Sequence, residues 1–224
     1  LHLHRTVQLR EGVPLSTVTA DVAARHGLTL RLLPVTDDRI ETRIHTADRR
    51  DLHFQEWWVG ERAAPDVDRV EFRGADAARP APGVVEAIRD AGTVIVAPSN
   101  PVVSVAPITA VPAVASALAA TSACVVGVSP IVGGRVVRGM AHRLLPAVGS
   151  SVDAAGVAGW YGARRDGGLL DAWIVDATDV SSPESVRGPG LAARAMDTLL
   201  DDPEVAAALA RGVLELAEDA GRAP

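Results

Sequence analysis

The chain has 224 residues, 48% of them apolar and 22% charged, with a formal net charge of −6. A single cysteine, Cys124, excludes a disulfide-stapled scaffold, and a chain of this size buries roughly 70% of its unfolded surface without one. The acidic balance excludes a general nucleic-acid binder, which needs a concentrated basic face, and a reducing, cytoplasmic compartment is the expected setting.

Residues 1–78 are dense in charges of both signs and read as a separate, mostly helical α+β subdomain. Residues 14–27 predict a helix with Ser16 as N-cap and Gly27 as its stop. Four arginines against Glu11 and Asp21 over residues 1–35 are too few for a DNA-binding helix-turn-helix, so this helix reads as packing. Residues 42–46 and 67–72 predict strands, with 51–59 a short helix between them. Arg79-Pro-Ala-Pro-Gly83 is the predicted hinge into a second unit, residues 79–224, which opens on a helix at 84–91.

Residues 93–134 carry no charge at all. A transmembrane helix needs about 20 apolar residues, but Pro98, Pro101, Pro107, Pro112 and Pro130 interrupt this stretch. It predicts instead a buried strand at 93–97, a crossover helix at 110–120 and a second buried strand at 124–129, the middle of a parallel sheet. Beyond it come helices at 140–148 and 152–161, a strand at 172–176, a loop at 179–190 rich in Ser, Pro and Gly, and a helix at 203–220.

Ligands of open parallel sheets bind beyond the carboxyl ends of the strands. Here those ends read Pro98-Ser-Asn-Pro101 and Ser129-Pro-Ile-Val-Gly-Gly134. The first is either a stiff recognition loop or an Asx turn; the second, with Arg135 and Arg138 following, is either an anion cradle or a tight turn with surface arginines. In His53-Phe-Gln-Glu-Trp-Trp58, His53 and Glu56 at i, i+3 share a helix face, but the nearest other histidine is His45, too little for a transition-metal site. The aromatics there read as core or as a wall for a flat ligand. No GxSxG, HExxH or CxxC pattern occurs, which removes most support for a hydrolase or zinc enzyme.

Taken together and in order, several segments resemble the 2-phospho-L-lactate transferase family. They are His53-Phe-Gln-Glu-Trp-Trp-Val59, the run from Glu71-Phe-Arg-Gly74 to the Arg79 hinge, Pro98-Ser-Asn-Pro-Val-Val-Ser104, Ser129-Pro-Ile-Val-Gly-Gly134 with Arg138-Gly139, Tyr161-Gly-Ala-Arg-Arg-Asp-Gly167 and Asp197-Thr-Leu199. The resemblance implies a transferase built on a Rossmann-like, three-layer α/β core. Such an enzyme moves a phospholactyl or phosphoenolpyruvyl group from a guanosine diphosphate-linked donor to the terminal ribityl hydroxyl of the deazaflavin Fo. GMP leaves, Mg²⁺ assists, and the product belongs to coenzyme F(420) biosynthesis. On this sequence it implies nucleotide contacts at Ser99, Asn100, Pro101, Ser129, Gly133 and Gly134, charge neutralisation by Arg138, and an acceptor pocket near His53, Glu56 and Trp57.

The family's opening strand, Gly-Gly loop and following aspartates, which resemble metal-binding and acceptor-activating groups, have no counterpart from Leu1 onward. Catalytic and metal-ligating residues are therefore expected upstream, and this chain alone is expected to be inactive. It is also expected to expose a sheet edge that favours association, for example as a homodimer. The rival reading is a nucleotide-sugar-binding regulator from a related branch of the same fold family. No nucleic-acid or membrane partner is expected.

Overall fold

The computed structural model describes residues 1–180 and 190–221. Helices α1 (His2–Arg10) and α2 (Leu15–Arg25) precede an antiparallel sheet of β1 (Glu41–Thr46), β2 (Asp51–His53) and β3 (Val67–Arg73), in spatial order β2-β1-β3. Then follow α3 (Val84–Arg89), β4 (Thr93–Val96), α4 (Ala106–Thr109), α5 (Pro112–Ala120), β5 (Cys124–Val128) and a hairpin of β6 (Ile131–Val132) and β7 (Arg135–Val136). The chain continues through α6 (Ala141–Leu144), α7 (Ala154–Tyr161), β8 (Ala172–Asp176), β9 (Ala192–Met196) and α8 (Pro203–Gly221). Strands β4, β5, β8 and β9 form one parallel sheet in that order.

Both strands of the uncharged stretch are there as their β-branched pattern predicts, and successive residues serve opposite faces, but only β5 is buried: β4, expected buried in the middle of the sheet, lies at its edge and buries no residue fully. Val126 and Val128 of β5 join Ala172 and Ile174 of β8 under α8, through Leu209, Val213 and Leu216. Val125, Trp173 and Val175 face the other way, onto α6 and α7 and onto Ile44, Leu52 and Trp57. Helices thus cover both faces, the three-layer α/β arrangement. Val111, at the N-cap of α5, and Val114 and Leu118 within it pack with Ala78 in a third cluster. The sheet's edges are β4 and β9, and Ile95 of β4 is 47% exposed.

No single helix among the described residues is long and apolar enough to cross a membrane. The helical stretches Pro101–Thr109 and Pro112–Ala120 meet at 86°, broken where Pro112 starts a new helix.

Gly127 sits where β5 passes the Trp173 ring. A Cβ there would lie 2.8 Å from Trp173 ring carbons and 2.8 Å from Leu170 Cδ1, both fully buried. Gly127→Ala is expected to cost about 1–3 kcal/mol by overpacking; an unchanged denaturant midpoint would show that the Trp173 ring moves freely.

Several local expectations are revised. Pro14, not Ser16, is the N-cap of α2. Ser16 lies in the first turn, and its N–H and hydroxyl both donate to Asp37 (2.6 and 2.7 Å), so a distant carboxylate satisfies the helix end. Residues 51–53 are strand, not helix: Arg43 pairs with His53 and Ile44 with Leu52. The predicted helix at 140–148 divides at Pro146 into α6 and a 3₁₀ turn, Pro146–Val148. Strand β9 and helix α1 were not anticipated, because Ala192-Ala-Arg-Ala-Met196 lacks β-branched residues and α1 buries none of its side chains. The predicted loop at 179–190 lies outside the described residues except at its ends, where Asp179 closes a 3₁₀ turn, Ala177–Asp179.

The outer face of the antiparallel sheet is a ladder of ion pairs. Arg43 binds Asp51 (2.8 Å), Arg73 bridges Asp51 (3.0 Å) and Glu71 (3.2 Å), and His45 meets Glu71 (2.6 Å). Hydrogen bonds from Arg43 and then Arg73 hold the Asp51 carboxyl down to about 2. Arg73 and then His45 lower that of Glu71. A carboxyl with a depressed folded pKa stabilises the fold above its unfolded pKa and loses that contribution as pH falls through the folded value. Thermal stability is therefore expected to fall between about pH 4 and 2. In a melting series, Asp51→Asn should flatten this slope; an unchanged slope would reject the assignment.

Candidate functional site

A cleft of about 540 Å³ opens beyond the carboxyl ends of β4, β5 and β9. That is where ligands of parallel sheets bind. Part of its lining is polar: Ser99, Asn100, Ser104, Ser129 and Thr198. Another part is apolar and aromatic: Phe54, Trp58, Val137, Met140, Leu199 and Leu200. Arg138 and Asp201 are the charged members.

The polar part is shaped by two tight turns. Asn100 caps a π-turn, Pro101–Val105, its Oδ1 accepting the N–H groups of Val102 (3.0 Å) and Val103 (3.3 Å). The acceptor of the side chain is thereby committed, and its two amide hydrogens are what it can offer a ligand. Pro101 is the buried first residue of that turn and does not line the cleft. Ser129 is 1% exposed; its hydroxyl accepts the Ile131 N–H (3.1 Å) and donates to the Ile131 carbonyl (3.3 Å), and its N–H donates to the Ile174 carbonyl. Ser129 thus touches the cleft with both of its donors already engaged.

Gly133 and Gly134 form the two-residue turn of the β6–β7 hairpin, with φ of 58° and 68°, the left-handed values such turns require. They do not line the cleft, and the Gly134 N–H donates to the Asp179 carboxylate. The amide expected to cradle an anion therefore already holds an internal one. Arg138 does line the cleft, is exposed, and has no ion pair or hydrogen bond with any described residue.

On the aromatic side the structure exchanges the expected residues for their neighbours. His53 shares the outer, charged face of β2 with Asp51, opposite Arg43. Phe54 follows it onto the inner face and into the cleft. Glu56 is exposed and accepts the His53 N–H (3.4 Å), while Trp57 is wholly buried with Nε1 donating to the Pro65 carbonyl (2.9 Å). His53, Glu56 and Trp57 do not line the cleft; Phe54 and Trp58 do, with ring centroids 5.4 Å apart. Both rings stand on the π-turn Glu56–Gly60, where consecutive side chains point in different directions, Trp57 inward and Trp58 to the surface.

Thr198, Leu199, Leu200 and Asp201 also line the cleft; the family-like segment Asp197-Thr-Leu199 reaches only the first two, and none of the four has an expected role. This part of the lining is anchored by Asp176 at the end of β8, 3% exposed, which accepts hydrogen bonds from Thr178 and Thr198. Burial pushes the Asp176 carboxyl up, but the bonds from Thr178 and Thr198 outweigh it and hold the group below its ordinary value.

The sequence pattern of the family described as 2-phospho-L-lactate transferase CofD matches residues 1–209. The chain belongs to the CofD family. It is 45% identical over 221 residues to a phosphoenolpyruvate transferase of Streptomyces griseus, spanning 97% of this chain and 68% of that protein. To the phosphoenolpyruvate transferase of Mycolicibacterium smegmatis it is 44% identical over 221 residues, spanning 96% and 66%. The crystal structure of protein BH3568 from Bacillus halodurans superposes with a TM-score of 0.65 at 15% identity, covering 95% of this chain and 70% of that one, a likeness of fold.

Magnesium, which the CofD resemblance implies, takes oxygen ligands and usually one or two carboxylates. Among the described residues, Asp201 is the one carboxylate in the cleft lining, and no group of three His, Cys, Asp or Glu is arranged to hold a metal. The donor set described here does not by itself fit the ion.

Proposed function

We propose that this CofD-family chain binds the substrates of the transfer that builds coenzyme F(420). These are a guanosine diphosphate-linked phosphoenolpyruvyl or phospholactyl donor and the deazaflavin Fo. The relatives' activity as phosphoenolpyruvate transferases favours the enolpyruvyl form. One observation carries the reading: a single cleft holds the Arg138 guanidinium, unpaired among the described residues, beside amide and hydroxyl donors on one part of its wall and two aromatic rings on another. A diphosphate needs the first and a flat tricyclic ring the second.

Residues 79–224 would hold the nucleotide through Arg138, the Asn100 amide and Ser99. Residues 1–78 would supply the acceptor wall through Phe54 and Trp58. Transfer forms a bond from the ribityl hydroxyl oxygen to the donor phosphorus and breaks the bond from that phosphorus to the GMP oxygen, while the hydroxyl gives up its proton. With Asp201 the one lining carboxylate, the cleft described here has binding groups in plenty and few to accept that proton or hold a metal. We therefore expect the 224-residue chain to bind the nucleotide without turning it over; product from Fo, donor and Mg²⁺ would overturn this.

Calorimetric titration tests the nucleotide site. Arg138→Ala is expected to weaken GDP roughly 10-fold or more, the effect of losing a charge-assisted hydrogen bond. Equal affinity in native and variant chains would remove Arg138 from the site. Tighter binding of UDP-N-acetylglucosamine than of GDP would replace the transferase reading with that of a nucleotide-sugar regulator.

A further inference from the structure

Asp176 does not touch the cleft, yet both of its oxygens are committed to residues that shape it. Oδ1 accepts the backbone N–H of Thr178 (2.9 Å) and its hydroxyl, and Oδ2 accepts the backbone N–H (3.0 Å) and hydroxyl (3.1 Å) of Thr198. Four donors converge on one carboxylate, an arrangement that a neutral side chain cannot reproduce. Thr198 is 4% exposed and opens the cleft lining that continues through Leu199, Leu200 and Asp201. Three residues after Asp176, at the end of the same 3₁₀ turn, Asp179 accepts the N–H of Gly134. Gly134 sits at the tip of the hairpin whose second strand runs directly into Val137, Arg138 and Met140 of the lining.

One short turn therefore holds two separate parts of the cleft by carboxylates of fixed spacing. We infer that Asp176 and Asp179 form a brace that positions the Thr198 segment and the Arg138 segment around the ligand, both acting as positioning residues and neither as a contact. The inference rests on the reading of this cleft as the nucleotide site. An Asn at 176 replaces one of two acceptors with a donor, and whichever way its amide turns it faces a backbone N–H of Thr178 or Thr198, which cannot rotate to accept.

The test compares Asp176→Asn, Asp179→Ala, Asp179→Asn and a control, Val114→Ala, whose site is fully buried in the α5 cluster. GDP affinity is measured below the melting temperature of each, together with amide hydrogen exchange. Asp176→Asn is expected to weaken GDP about 10-fold and to speed exchange of the Thr198 amide at least as much, with the β5 amides unchanged. Asp179→Ala, at a partly buried position, should weaken GDP several-fold and speed exchange at Gly134, with its melting temperature measured alongside. Asp179→Asn keeps an acceptor and should restore both. Val114→Ala should lower the melting temperature and leave affinity intact. The brace is overturned if Asp176→Asn and Asp179→Ala bind GDP like the native chain, or if Val114→Ala weakens binding as much. If the native chain does not bind GDP, the nucleotide reading fails on its own, and the exchange rates at Thr198 and Gly134 still decide whether the aspartates brace the two segments.

Discussion

Trp57→Ala is expected to destabilise the fold by about 3–5 kcal/mol, whereas Trp58→Ala, one residue on, should cost under about 1 kcal/mol and act on binding. Trp57 is wholly buried among Ile44, Leu52 and the α6–α7 layer, with its indole N–H on the Pro65 carbonyl. Truncation there leaves both a cavity and an unpaired carbonyl. For a chain of this length the loss corresponds to a fall of roughly 10 °C or more in melting temperature. Trp58 is 36% exposed at the cleft wall, stacked at a tilt on Phe54. Its removal takes away about 1–2 kcal/mol of ring contact, so Fo binding should weaken roughly 10-fold with the fold intact. Calorimetry of unfolding and fluorescence titration with Fo separate the two effects. Equal melting temperatures for the two variants would mean that the π-turn does not sort these rings as described.

Arg164→Ala should be the most damaging change at the end of the sheet opposite the cleft. Arg164 grips Asp171 with a hydrogen bond from Nε to Oδ1 (3.0 Å) and an ion pair between Nη2 and Oδ2 (2.7 Å). Its Nη1 donates to the carbonyls of Thr121 (2.8 Å) and Leu118 (3.4 Å), and Asp171 in turn accepts the Val125 N–H (2.8 Å). The pair therefore ties the end of α5, the start of β5 and the approach to β8. Both side chains retain some exposure, 20% and 26%, which tempers the desolvation involved. Losing the arginine strands a carboxylate and two carbonyls, and we expect a cost of about 2–3 kcal/mol. Arg164→Lys should recover little, because a single ammonium cannot satisfy a carboxylate and two carbonyls in that fork. A denaturant midpoint for Arg164→Lys equal to the native one would show that charge alone suffices.

The parallel strands were legible because runs such as Thr93-Val-Ile-Val-Ala97 and Cys124-Val-Val-Gly-Val-Ser129 are β-branched and uncharged; β5 is covered on both faces as such a run implies, whereas β4 is a half-buried edge strand, a difference its sequence does not carry. The same logic located two loops that line the cleft, since small polar residues and prolines after such strands mark their carboxyl ends. Strand β9 escaped notice because it is an edge strand of alanines and an arginine whose pairing partner, β8, supplies what its own sequence lacks. With β9 unseen, the Thr198–Asp201 lining had no place in the site.

By itself the sequence determined the class of fold, the core strands at 93–97, 124–129 and 172–176, the family, and the loops that reach the cleft. Tertiary structure alone decided which donors in those loops are free. Ser129 and Gly134 look like phosphate ligands in one dimension, but a turn closed by Ile131 and a carboxylate brought in from Asp179 take up their hydrogen bonds. Arg138 keeps its charge unpaired among the described residues. Likewise Trp57 and Trp58 are the same residue type side by side, and their adjacent places on the π-turn make one core and the other wall. Periodicity is a local property and survives reading from sequence; hydrogen-bond satisfaction depends on partners 45 residues away, as for Gly134 and Asp179, and exists only once the chain has folded.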